Sequence, residues 1–216
     1  MTADALAPTT TPSPIPTTLA FTITFHSRFR VGAAYPLDGL DTVTDLREPL
    51  PADHIKGLMR AEAARLLEIA ACDDGLVDGT GRAEALLTSV FGTARLPSPW
   101  HWSEVTPAPA WEPAAVRSRV SIDENTGAAR RDQLVMASAT YAAQAHFCVE
   151  TDSVISLGDA AGAHAALLRL AGRSVHHLGA WRRRGLGWVG VTPDSPNPKW
   201  SAEWDTITGY LTEVTA

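Results

Sequence analysis

Leu178-Gly179-Ala180-Trp181-Arg182-Arg183-Arg184-Gly185-Leu186-Gly187-Trp188-Val189 sets glycines on both sides of a basic triplet and then runs into an apolar segment. Glycine reaches backbone conformations closed to other residues, and its missing side chain lets another backbone come close. Three consecutive arginines place forked, permanently charged donors beside that opening, a chemistry suited to phosphate oxygens. Between Ala160 and Pro193 the chain carries five arginines and neither Asp nor Glu. The stretch reads as a polyanion-contacting loop or, more plainly, as a Gly-rich turn with solvated arginines.

The order of elements around the loop decides between fold families. An Ala/Leu-rich helical segment from Asp159 to Ala171 precedes it, and Trp188 to Pro193 reads as a strand. Gly185-Leu186-Gly187-Trp188-Val189-Gly190 fits the letters of a dinucleotide fingerprint, but that site needs a strand before the glycines and a helix after them. The order here is reversed. A P-loop is excluded as well, because no Gly-Lys-Ser/Thr occurs.

Working outward, Leu19 to His26 alternates apolar and polar residues, the mark of a half-buried strand. A loop with Asp38, Asp41, Asp45 and Glu48 follows. Asp53 is expected to cap a helix, along which Ile55, Leu58, Met59, Ala63, Leu66, Leu67 and Ala70 form one apolar stripe. Ala83 to Val90 reads as a short helix. Pro97 to Pro113, with three tryptophans, is expected to be an irregular insertion whose tryptophans pack on the body. Val116 to Ile122 alternates again, Asp123 to Gly127 makes a turn, and Gln133 to Val149 is strand-rich. The tail with Trp200, Trp204, Ile207, Tyr210 and Leu211 is expected to cover the core as a helix or strand. Strand, helix, two strands, helix, strand is the order of an α+β, ferredoxin-like βαββαβ core with loop insertions. The boundaries are a Thr/Pro/Ala-rich, disordered leader over 1–18, a core over 19–193 with an insertion around 73–114, and a C-terminal extension over 194–216.

Composition narrows the class without naming a function. The chain has 216 residues, is 45% hydrophobic and has a formal net charge of −6. This argues against a generic nucleic-acid binder, yet local field decides where a polyanion docks. Base gathers at Arg28/Arg30, Lys56/Arg60, Arg117/Arg119, Arg130/Arg131 and Arg182 to Arg184, while acid gathers between Asp73 and Asp78 and after Asp194. No secretory signal pattern and no run of transmembrane length is present. Cys72 and Cys148 form no disulfide framework or metal pattern; they are expected to be small core residues in a reducing cytoplasm.

Four segments in this order resemble one family: Phe25 to Gly32; Asp41 to Arg60 with Leu50-Pro51-Ala52-Asp53-His54-Ile55-Lys56-Gly57; Arg117 to Arg130 with Arg119-Val120-Ser121-Ile122-Asp123 and Thr126-Gly127; and the Gly-Arg loop. They are similar to the RAMP superfamily, specifically the backbone subunits of type III CRISPR effector complexes. Asp53-His54 departs from the small hydroxyl residues usual at that helix entry. The resemblance implies stacking along a guide RNA with copies of itself and other effector subunits. It also implies a projection into the guide–target duplex and divalent-metal-dependent (Mg2+) cleavage of the complementary target RNA. Asp41 then fits the catalytic and metal-binding position, with Asp38 and Asp45 as neighbours that could assist. Guide contacts are expected from Arg28, Lys56, Arg60, Arg130, Arg131, Gly179, Arg182, Arg183, Arg184, Gly185 and Gly187. Two alternatives stay open. One is metal-independent guide-RNA processing with His26 as general base; the other is a non-catalytic scaffold subunit. No membrane association is expected.

Overall fold

The computed structural model describes residues 17–32, 44–45, 47–73, 79–151, 157–158, 160–194 and 199–212. Asp38, Asp41 and most of the leader lie outside them. The described chain is a mixed α+β protein with helices packed against antiparallel sheet.

β1 (Thr18–Phe25) forms where the alternation is strongest: Leu19, Phe21, Ile23 and Phe25 point inward and are all buried. β6 (Gln144–Glu150) pairs with it antiparallel, placing Phe21 opposite Phe147 with their rings stacked at 4.9 Å. β7 (Val189–Pro193) flanks β1 on its other side, also antiparallel. The far edge of β6 takes two short pieces, β2 (His101–Trp102) and β3 (Thr106–Ala108). Between them Ser103 continues the pairing, its N–H reaching the Cys148 carbonyl at 2.9 Å. The sheet runs β2/β3, β6, β1, β7.

Helices cover one face. α1 (Ala52–Asp73) buries Ile55, Met59, Ala63, Leu66, Leu67 and Ala70, the stripe that its spacing dictates. Asp53 lies inside its first turn and is not a cap; there a carboxylate still favours the positive end of the helix dipole. α2 (Gly79–Phe91) packs on α1. α3 (Ala160–Ser174) is buried along most of its length, under α4 (Trp200–Thr212), which settles the tail as a helix. The buried Glu203 carboxylate of α4 pairs with Arg169 and, at 2.6 Å, with Arg173 of α3. Removing that carboxylate would break both pairs, a change that costs about 3 kcal/mol where the pair is buried.

Three further expectations need correction. Val116 to Ile122 is not a strand of the main sheet. β4 (Ala115–Ile122) and β5 (Ala129–Ala139) form a separate two-stranded ribbon. Alternation alone cannot say which partner a strand finds. Pro97 to Pro113 instead supplies the edge pieces β2 and β3. Its tryptophans do pack on the body: Trp100 is fully buried, and Trp102 and Trp111 lean on the core. The cysteines are not core residues either. Cys72 lies in the last turn of α1 beyond the stripe and is exposed, and Cys148 alternates outward between Phe147 and Val149.

The buried polar centre of the helical layer is His164 on α3. Trp100 Nε1–H, which can only donate, points at His164 Nδ1 at 3.2 Å. The imidazole is therefore neutral with its proton on Nε2, donated to Ser89 Oγ at 2.9 Å; Ser89 in turn donates to the Leu86 carbonyl. Burial lowers the His164 pKa from 6.5 to about 4. A histidine depressed in the fold takes its proton first in the unfolded chain, so stability is lost as pH falls from 6.5 towards 4. Urea denaturation at pH 7 and pH 4 should show this contribution, on the order of 3 kcal/mol. A His164→Gln variant should lack that part of the pH dependence.

Candidate nucleic-acid interface

The Gly-Arg loop is stitched to the segment that follows β1. Ala180 N–H donates to the Arg30 carbonyl and Gly187 N–H to the Arg28 carbonyl, both at 2.8 Å; Leu178 N–H closes the loop on Gly187 at 2.9 Å. Two glycines make this possible. At Gly179 (φ 71°) a Cβ would stand 2.2 Å from the Arg30 carbonyl oxygen, and at Gly187 (φ 73°) 1.9 Å from that of Leu178. No other residue fits.

Within this frame Arg182–Arg184 form one 3-10 turn, exposed throughout. Trp181 before it is held left-handed at φ 62°, ψ 27°, which costs a bulky L-residue roughly 1–2 kcal/mol. Its ring compensates by meeting two guanidinium groups: Arg30 Cζ lies 5.2 Å from the ring centroid and Arg119 Cζ of β4 lies 4.7 Å away. Such contacts contribute about 0.5–2 kcal/mol each.

Arg30 is 6% exposed, its Nε has no hydrogen-bond partner, and burial lowers its pKa. The Arg119 pKa is lowered first by desolvation and then by the charge of Arg184. Among the described residues no carboxylate pairs with Arg30, Arg119 or Arg184. Arg117, Arg119, Arg184 and Trp181 line a cavity of about 290 Å³ between the ribbon and the loop. Like charges gathered without acid around a partly closed cavity form an anion site in the making. A second cleft, about 590 Å³, lies on the other side of the turn against α1 and the end of α3; Arg182, Arg183, Arg65, His176 and His177 line it. The triplet therefore divides: Arg182 and Arg183 face one cleft and Arg184 the other.

The remaining expected contacts are placed as follows. Lys56 lies over the Trp102 ring at 4.8 Å, so it does not join the loop arginines. Arg60 is exposed one turn further along α1. Arg28 donates to Glu112 at 2.6 Å, and Arg130 lies 3.8 Å from Asp123 across the ribbon turn. Arg131 is exposed on β5, next to the left-handed Asp132. His26 is exposed at the end of β1, its ring 4.6 Å from that of Trp188. Asp45, the described member of the acidic trio, accepts the Arg47 N–H at 2.8 Å. One oxygen of that carboxylate is thereby engaged locally, and Asp38 and Asp41 lie outside the described residues. Among the described residues, no three His, Cys, Asp or Glu side chains converge as a metal site.

Sequence reasoning missed Trp181, Arg30, Arg119 and His54 as parts of one site. His54, on the first turn of α1, accepts the Gly179 N–H at Nε2 (3.0 Å) and so latches the loop to the helix. The signal was visible only as a departure: an imidazole where the resembled family has a small hydroxyl.

The chain matches no protein-family model and no curated protein. No described helix is long and apolar enough to cross a membrane.

Accepting the Gly179 N–H hydrogen bond requires an unprotonated Nε2, and burial first, then the Arg182 charge, lowers the His54 pKa from 6.5. The latch is thus intact at neutral pH and is lost as pH falls through the depressed folded value. By NMR the Gly179 amide resonance should titrate with a midpoint below 6.5, and His54→Ala should abolish that titration.

Proposed function

We propose that this chain is an RNA-backbone-binding subunit of RAMP type, acting in the cytoplasm within a type III CRISPR effector complex. There it lies along a guide RNA beside copies of itself and other effector subunits. The observation that carries this reading is the cluster of Arg30, Arg119 and Arg184 about Trp181, unneutralised by acid in a chain of net charge −6. A ribose-phosphate strand supplies the missing negative charge, and single-stranded RNA is commonly held by such a basic groove with aromatic support.

The strand path supports the same reading. With β2/β3 counted as one broken strand and the ribbon as an insertion, the order β2/β3, β6, β1, β7 with antiparallel neighbours agrees with the expected ferredoxin-like βαββαβ core. The ribbon, projecting between the second and third strands, suits a part that reaches into the guide–target duplex.

Cleavage of the target RNA belongs to the proposal through Asp41. RNA carries its own nucleophile in the 2′-OH. A divalent cation, Mg2+ by the family resemblance, would supply charge relief at the phosphoryl group; Asp41 would hold it, with Asp45 nearby in sequence.

Replacing Arg182, Arg183 and Arg184 by alanine should reduce the slope of log affinity for single-stranded RNA against log salt, by up to about 2 if each arginine contacts one phosphate. An unchanged slope removes the loop from the interface. In the assembled complex, Asp41→Ala should abolish EDTA-sensitive cleavage of target RNA while guide retention, followed by the length of co-purifying RNA, is unaltered.

A further inference from the structure

Trp188 immediately follows the Gly-Arg loop, and the residue is 55% exposed. Single exposed aromatics are common and by themselves mean nothing. This one is held from several sides. The Trp188 backbone N–H donates to Ser27 Oγ at 3.0 Å, and its backbone carbonyl accepts the His26 N–H at 2.9 Å. The same residue bridges to His177. The imidazole of His26 supports its ring at 4.6 Å between centroids with a 43° tilt.

Pairing of Phe25 with Val189 continues to His26 beside Trp188. Because Phe25 and Val189 are buried towards the helices, the alternating His26 and Trp188 stand on the opposite, open face of the sheet. The next residue of β7 on that face is Gly190, opposite Thr24, so no side chain of its own crowds the ring along the strand. Further out the face is polar, with Thr22, Thr192 and His146. An indole fixed in place, half in water, beside a low polar surface matches the π-face and hydrogen-bonding edge of a nucleobase.

The neighbouring charge selects the occupant. Arg184 is four residues away, so its Cα lies at most about 14 Å from that of Trp188. That is within the span of a few nucleotides of one strand. We propose that Trp188, backed by His26, is a stacking platform for an unpaired nucleobase of the strand whose phosphates the arginine loop holds. The inference rests on the RNA-binding reading above and adds to it a base contact, sequence-tolerant because every base offers a π-face.

The test uses the full chain and fluorescent single-stranded RNAs of equal length, one with bases and one abasic at successive positions, with affinity read by anisotropy across a salt series. For the strand with bases, Trp188→Ala should weaken binding about tenfold with no change in salt slope. Trp188→Phe should retain most of the affinity. Wild type should lose a similar factor on the abasic strand, and Trp188→Ala should lose little more there. Equal binding of both strands by wild type overturns the platform, as does a Trp188→Ala loss that is the same on both. The arginine reading would survive such a result if the Arg182–Arg184 alanine variant still flattened the slope. If wild type binds neither strand, both readings fall. Should Trp188→Ala fail to fold, the wild-type and Trp188→Phe comparisons on the two strands carry the test alone.

Discussion

The backbone approach at Gly179 and Gly187 is the constraint on which this end of the molecule depends. Two carbonyls, those of Arg30 and Leu178, occupy the space where side chains would otherwise be. The loop therefore lies on the chain after β1 and is fastened there by backbone hydrogen bonds. Everything displayed from it inherits that fixed frame: the 3-10 turn, Trp181 with its two guanidinium neighbours, and Trp188 at the head of β7. A basic triplet on a free loop would lose side-chain and backbone freedom on meeting a ligand. Here much of that ordering is already complete when the protein folds.

Against this frame the charge distribution is uneven in a telling way. Away from the loop some arginines stand in water, as Arg60 and Arg131 do, and others find carboxylates: Arg28 with Glu112, Arg130 with Asp123, Arg169 and Arg173 with Glu203. Around Trp181 they do not, and the aromatic face stands in for an anion. That substitute is weaker than a carboxylate, since a ring quadrupole carries no net charge. Arg30 deepens the contrast, being nearly sealed from solvent with an unpartnered Nε. The site is stable enough to exist and electrostatically incomplete.

How much of this was legible depended on whether a signal was local. β1 and α1 were readable because their apolar residues recur at the periods that Phe21, Ile23 and Phe25 or Ile55, Met59 and Ala63 obey. α3 was readable from its Ala/Leu content, and the Asp123–Gly127 turn from its Asx chemistry, with Asp123 Oδ1 taking the Asn125 and Thr126 amides. Strand partnership was not local. Val116 to Ile122 looks like a core strand, yet its partner is β5, while the edge of the sheet is built from the Trp/Pro segment that shows no periodicity. The site was half legible for the same reason. The arginine triplet announces itself in one stretch, whereas Arg30, His54 and Arg119 come together only after the chain returns three times to one place.

The ribbon has one more property that follows from its pairing. Val120 lies opposite Leu134, with Val116 on the same side of β4, and each is about half exposed, whereas Arg119 on the other side turns to Trp181. Two strands alone are barely stable in water, and here they also keep greasy side chains wet. Such a hairpin is sticky in isolation, so handling the lone polypeptide means contending with self-association at this spot. The ribbon thus carries an oily blade at the periphery, distinct from the well-filled interior.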